Sequence, residues 1–279
     1  MRLQKDLILF ALATINHVVF RGDALALDLM KGLRFSGNKG ALSSMPPMPD
    51  QALGQKHYAE THKDIDNLLK QNKEYVNSKK EQDPQFFEKL GSKHEPKYLW
   101  IGCADARVPA NEIMGEPPGS VFVLRNVANM VVNTDFNLMA ALQYAMDVLK
   151  IPDIIVCGHY DCGGVRASTK SNDHVAPLEN WLRNIRDVYR LHQKELDSID
   201  DPEKRHRRLV ELNVIEQCVN LFKTGAVQRR YMDETSPDSS LRIHACVFDP
   251  KDGILRPLDV DFNKVRLILL PLKRSIMQS

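Results

Sequence analysis

Two short, almost unbroken apolar runs punctuate the middle of the chain. Lys97–Cys103 follows Pro96 and reads Tyr98-Leu99-Trp100-Ile101-Gly102 before its cysteine. Asp153–His159 reads Ile154-Ile155-Val156-Cys157-Gly158 before its histidine. Strands of a parallel sheet, covered on both faces, carry continuous apolar runs of this kind instead of an alternation. Ser120–Leu124, after the turn-rich Gly115-Glu116-Pro117-Pro118-Gly119, and Leu241–Phe248 predict two more strands. Between them the spacing becomes helical. Phe136–Leu149 predicts a helix stopped by Pro152, and Leu178–Glu195 and Pro202–Arg230 predict long ones. The last repeats Leu209, Leu212, Ile215, Val219 and Phe222 on one face. Tyr58–Leu90 is helical but polar, anchored only by Ile65, Leu68, Leu69, Phe86 and Phe87. A helix so poor in apolar contacts needs another surface to pack on. Strands alternating with helices predict an α/β fold: a mostly parallel central sheet flanked by helices, with an N-terminal helical arm.

The first 50 residues have another character. Residues 1–36 carry Arg2, Lys5, Arg21, Lys31 and Arg34 against Asp6, Asp23 and Asp28. The apolar stretch Leu7–Phe20 is interrupted by Thr14, Asn16 and His17, and is shorter than the roughly 20 residues a membrane span needs. A basic, partly amphipathic leader predicts a mitochondrial presequence, with cytoplasmic residence as the alternative. Arg34-Phe35-Ser36 resembles a presequence cleavage site, and Ser43–Asp50, with three prolines, reads as a linker. The division expected is therefore 1–50 as leader and linker and 51–279 as one domain with its helical arm.

Each of the two apolar runs ends on a metal-ligand type. Cys103 opens Cys103-Ala104-Asp105-Ala106-Arg107, and His159 opens His159-Tyr160-Asp161-Cys162. Open α/β sheets build their sites at the carboxyl ends of strands. Two neighbouring strands would bring Cys103 and His159 together, and the turn Cys162-Gly163-Gly164 would add a second thiolate. Two thiolates and an imidazole leave the fourth tetrahedral position of a zinc ion open, as a catalytic site requires. Cys157, Cys218 and Cys246 lie inside predicted elements and read as small core residues. Five cysteines, two of them in this pattern, give no disulfide framework. A formal net charge of +2 gives no electrostatic case for nucleic acid or a membrane surface. No Gly-x-Gly-x-x-Gly follows the first strand, which argues against a dinucleotide-binding fold.

These segments resemble the β-class carbonic anhydrases. Cys103 to Arg107 matches their Cys-x-Asp-x-Arg, Arg125-Asn126-Val127-Ala128-Asn129 their Arg-Asn-x-Ala-Asn, and Gly158–Gly164 their Gly-His-x-x-Cys-Gly-Gly. The similarity continues through Leu182–Asp187 and Glu211–Val214 and spans roughly Tyr58 to Asp261. It implies reversible hydration of carbon dioxide to bicarbonate and a proton through zinc-bound hydroxide, with one zinc ion per chain on Cys103, His159 and Cys162. It implies that Asp105 orients the attacking oxygen and that Arg107 holds Asp105. His94, Phe122, Tyr144 and Gly163 would line the substrate pocket, His94 standing where the family usually has Gln. In one subgroup Asp105 swings onto the metal, and a bicarbonate pocket of Trp, Arg and Tyr regulates that closure. Trp100 and Arg125 match two of its members, while Phe248 replaces the Tyr and lacks its hydroxyl. The resemblance also implies a homodimer or a dimer of dimers. Hydrolysis of carbonyl sulfide or carbon disulfide at the same metal, and a non-catalytic bicarbonate sensor, are the competing functions. A sensor would be expected to lack Asp105 or Arg107.

Overall fold

The computed structural model describes residues 51–171, 174–232 and 241–265. The expected leader, cleavage site and linker lie outside the described residues. Two compact units divide the chain, Met1–Tyr75 and Val76–Ser279. Helix α1, Gln51–Gln82, runs through the boundary between them. Its apolar anchors stay in solvent, with Ile65, Leu68 and Leu69 49%, 55% and 54% exposed.

The second unit holds the sheet. After the short α2, Phe86–Ser92, come β1, Tyr98–Cys103, and β2, Val121–Asn126, with α3, Ala110–Met114, between them. Next follow α4, Phe136–Gln143, and β3, Asp153–His159. Then come α5, Gly163–Ser168, α6, Leu178–Leu191, and α7, Gln193–Asp197. The long α8, Pro202–Lys223, leads through α9, Gly225–Met232, to β4, Arg242–Asp249, and β5, Ile254–Leu258. Among the described residues the five strands form one sheet in the order β2-β1-β3-β4-β5. The β1–β2, β1–β3 and β3–β4 pairs are parallel; only β5 runs antiparallel.

Helix starts follow local chemistry. Asp201 caps α8 by accepting from the backbone N–H of Glu203 (2.8 Å) and Lys204 (3.2 Å), with Pro202 at the first helical position. Asp135 does the same for α4. The apolar spacing read from the sequence carried two helices too far. The single helix expected over Leu178–Glu195 breaks at His192, and the one over Pro202–Arg230 breaks at Thr224, whose backbone is extended before Gly225. The helix expected over Phe136–Leu149 ends in a wider π turn, Tyr144–Val148.

The core lies on both faces of the sheet. Leu99, Ile101, Ile154 and Val156 pack with Val214, Cys218 and Leu221 of α8. Trp100, Ile155, Cys157 and Phe248 fill the other face. Cys157 and Cys218 are buried and Cys246 is half-buried, and all five cysteines are free of disulfides. Among the described residues no helix is long and apolar enough to cross a membrane.

The strand order decides where a site can form. From β1 the chain goes to β2 on one side, then returns to β3 on the other. At such a reversal the connections leaving the carboxyl ends diverge and open a crevice. Cys103 ends β1 and His159 ends β3, so both stand at that crevice.

Candidate metal centre

Cys103, His159 and Cys162 converge there, and all three are buried. Their ligand atoms lie within 4.8 Å of one another. The Cys103 and Cys162 sulfurs are 4.0 Å apart, close to the separation of two thiolates on one tetrahedral zinc with bonds of about 2.3 Å. Nδ1 of His159 donates to the Tyr160 carbonyl at 3.0 Å, which assigns its proton. Nε2 is fully buried and has no hydrogen-bond partner among the described residues. Such an orphan acceptor is costly in a folded interior, and a metal ion is the partner that two adjacent sulfurs suit. The two thiols already behave as a pair. Hydrogen bonding from Cys162 lowers the Cys103 thiol, against burial, while sharing that proton and burial together raise Cys162.

Close packing explains the glycines beside the ligands. A Cβ on Gly158 would lie 2.5 Å from Cγ2 of Val214, and one on Gly164 2.7 Å from Cγ1 of Val127. The strand end and the start of α5 can therefore come against α8 and the Val127–Asn129 turn only without side chains. That turn holds Ala128 and Asn129 at positive φ. Asn213 donates to the Ala128 carbonyl at 3.0 Å, and the Asn126 side chain bridges both backbone groups of Met130.

Asp105 stands beside the cluster, its Oδ2 3.8 Å from Nε2 of His159. Arg107 grips it in a fork, Nε to Oδ1 at 3.0 Å and Nη2 to Oδ2 at 2.7 Å, and its backbone N–H adds a third bond at 2.9 Å. The Arg107 side chain holds the carboxyl far below the usual carboxylate range despite partial burial. Asp105 is thus an ionised acceptor at the mouth, turned towards Arg107.

Sequence reasoning missed what holds Arg107. Asp161, inside the His-x-x-Cys segment, accepts from its Nη1 at 3.2 Å and offers its backbone carbonyl to Nη2 at 3.3 Å. Arg166 then donates to Asp161 at 3.1 Å and is itself forked by Glu203 of α8 at 2.7 and 3.1 Å. An acidic residue between two expected ligands was the available signal.

The other candidates fall into two groups. His94, Phe122 and Tyr144 form a string of rings, 6.1 Å and then 6.0 Å between centroids. Gly163 is exposed, with open space where a side chain would be. On the opposite face of the sheet Trp100 and Phe248 share a buried cluster, and the Trp100 indole N–H has no partner among the described residues. Arg125 braces the loop after β1, donating to the carbonyls of Cys103 (2.8 Å) and Asp105.

The carbonic anhydrase family model matches residues 98–255. A carbonic anhydrase of Emericella nidulans is 49% identical over 218 residues, covering 78% of this chain and 92% of that protein. A tetrameric β-carbonic anhydrase from Sordaria macrospora superimposes with a TM-score of 0.66 at 34% identity, covering 70% of this chain and 97% of that one. The β-carbonic anhydrase CafA of Aspergillus fumigatus gives a TM-score of 0.68 at 30% identity, covering 75% and 98%.

Proposed function

The chain belongs to the β-class carbonic anhydrases and catalyses the hydration of carbon dioxide to bicarbonate, and from that premise we propose that Cys103, His159 and Cys162 hold its single zinc ion. The observation that carries this reading is the buried, partnerless Nε2 of His159 beside two sulfurs 4.0 Å apart. Zinc bound there would supply the Lewis acidity that makes water nucleophilic.

The chain's own residues supply orientation. Asp105 is the hydrogen-bond acceptor for the reacting water, because Arg107 keeps it ionised and fixes both its oxygens. Accepting that hydrogen bond fixes the direction of the O–H and so turns the oxygen's lone-pair side towards the incoming carbon, a contribution made by positioning. Arg107 can serve as a rigid support because Asp161 takes two more of its five N–H donors. The substrate is small and uncharged, so an apolar and aromatic lining suits it. The aromatic string of Phe122 and Tyr144, extended by His94, is the candidate for that lining, and the open Gly163 follows Cys162 directly.

Two features argue against the regulatory reading. Phe248 brings no hydroxyl, and the Arg125 guanidinium is engaged with two backbone carbonyls. The assembly we infer is a homodimer or a dimer of dimers. The solvent-facing Ile65, Leu68 and Leu69 of α1 support it, as does the tetrameric state named for the Sordaria macrospora relative. Mitochondrial residence rests on the basic leader, and imaging of a fluorescent fusion to residues 1–50 tests it.

Metal analysis of Cys162→Ala, with stopped-flow carbon dioxide hydration, tests the centre. The wild type should carry about one zinc per chain, and the variant should lose most of both metal and turnover. Full zinc content in the variant would reject the ligand set.

A further inference from the structure

A second cleft, lined by none of Cys103, His159 and Cys162, lies where the end of α5 meets α6 and α8. Its volume is about 480 Å³, within the range of small-molecule sites. Arg186, Arg190, Arg205 and His206 line it, and no Asp or Glu does. Tyr189, Pro202 and Leu209 complete an apolar wall.

The charges are unevenly spent. Arg186 is forked by Glu179 and donates to the Ser168 carbonyl at 2.9 Å. Arg190 meets Asp187 at 3.2 Å, but both side chains are well exposed, and such pairs exchange readily with solvent or ligand. Arg205 places Nε and Nη2 on one carbonyl, that of Ile199, at 2.9 and 2.7 Å. Among the described residues no carboxylate lies within salt-bridge distance of Arg205, and its charge is compensated only from further off by the Asp197 carboxylate, to which the Tyr189 hydroxyl donates at 2.5 Å. His206 is only 7% exposed, and its Nε2 is buried with no hydrogen-bond partner among the described residues. Burial first, and then the nearby Arg166, lower its basicity, so it can offer an N–H without adding charge.

We propose that this cleft binds a phosphate group, free or carried on a small metabolite, between Arg190, Arg205 and His206. Guanidinium forks match phosphate oxygens in geometry as well as charge. The orphan Nε2 of His206 gains a partner, and the apolar wall of Tyr189, Pro202 and Leu209 accommodates a carbon body.

Titration calorimetry on the zinc-loaded full chain tests it, with inorganic phosphate, glycerol 3-phosphate and glycerol as three arms. Saturable binding of one equivalent of either phosphate, weakened by salt, is expected, with no heat from glycerol. Arg190→Gln sits on an exposed side chain and should weaken binding about tenfold, while Arg190→Lys retains part of it. Arg190→Gln with Arg205→Gln should abolish it, with zinc content unchanged. Three results would overturn the site: no saturable binding, affinity unchanged in the double variant, or binding that disappears in zinc-free Cys162→Ala, which would place the anion at the metal.

Discussion

Replacing Gly158 with Ala tests whether the metal centre depends on close approach of β3 to α8. The added Cβ would stand 2.5 Å from Cγ2 of Val214 and 3.3 Å from Oδ1 of Asn129. Ordinary carbon–carbon contact begins at about 3.5 Å, so strand and helix must part by roughly 1 Å. Both elements are core-packed, and Val214 is fully buried. Overpacking of this kind costs about 1–3 kcal/mol. The displaced residue adjoins His159, so zinc retention should fall along with stability. Val214→Ala alone removes buried methyl groups and should cost about 1–3 kcal/mol through lost burial and the cavity left behind. In the double variant the new methyl occupies part of that space, so the two costs should fall short of their sum by about 1 kcal/mol or more. Equilibrium urea unfolding of the four proteins, with zinc measured in each, closes the cycle. Wild-type stability in Gly158→Ala, or simple additivity in the double variant, would refute the contact as the reason for this glycine.

Asp105→Ala should keep its zinc yet lose about 10²-fold or more in turnover, because it removes orientation and not a ligand; steady-state hydration with metal analysis separates the two. Asp161→Asn should weaken the support of Arg107 and lower turnover by a smaller factor than Arg107→Ala, again with zinc retained. At the far end of the sheet, Asp153 is forked by Arg242 at 2.6 Å twice and meets His244 at 2.8 Å. Burial would raise its carboxyl, but those partners win and lower it. Its contribution is therefore complete above the unfolded carboxylate value and lost as pH falls through the lower folded value. Asp153→Asn should cost about 1–2 kcal/mol at pH 7, with the difference from wild type shrinking below about pH 4 in acid unfolding. Sedimentation velocity at micromolar concentration should give a dimer or tetramer, and Leu68→Asp with Leu69→Asp should shift it towards smaller species if α1 packs on a partner.

Much of the site was legible because its information is local. A continuous apolar run ending in Cys103 or His159 states both the strand and the position of the ligand at its carboxyl end. Asp201-Pro202 announces the start of a helix by its own hydrogen bonds. Helix breaks were not legible in the same way. An apolar stripe persists across a single extended residue such as Thr224, so periodicity reads two helices as one. The edge strand β5 escaped because Ile254-Leu255-Arg256-Pro257-Leu258 is short and contains a proline, which a strand tolerates only at an edge. Whether a segment lies at an edge depends on the sheet, not on the segment.

The sequence by itself put Cys103 and His159 at the ends of two apolar runs, with Cys162 three residues on, by residue type and local spacing, while the Asp105–Arg107 pair was an expectation drawn from the family resemblance. Tertiary structure alone decided that Asp161, Arg166 and Glu203 hold Arg107 in place, and that Arg125 braces the loop it faces. It also decided that three arginines and a buried histidine share one cleft. These residues come from separate elements, and only the strand order and the packing of α5, α6 and α8 against the sheet bring their side chains within hydrogen-bond or Coulomb range.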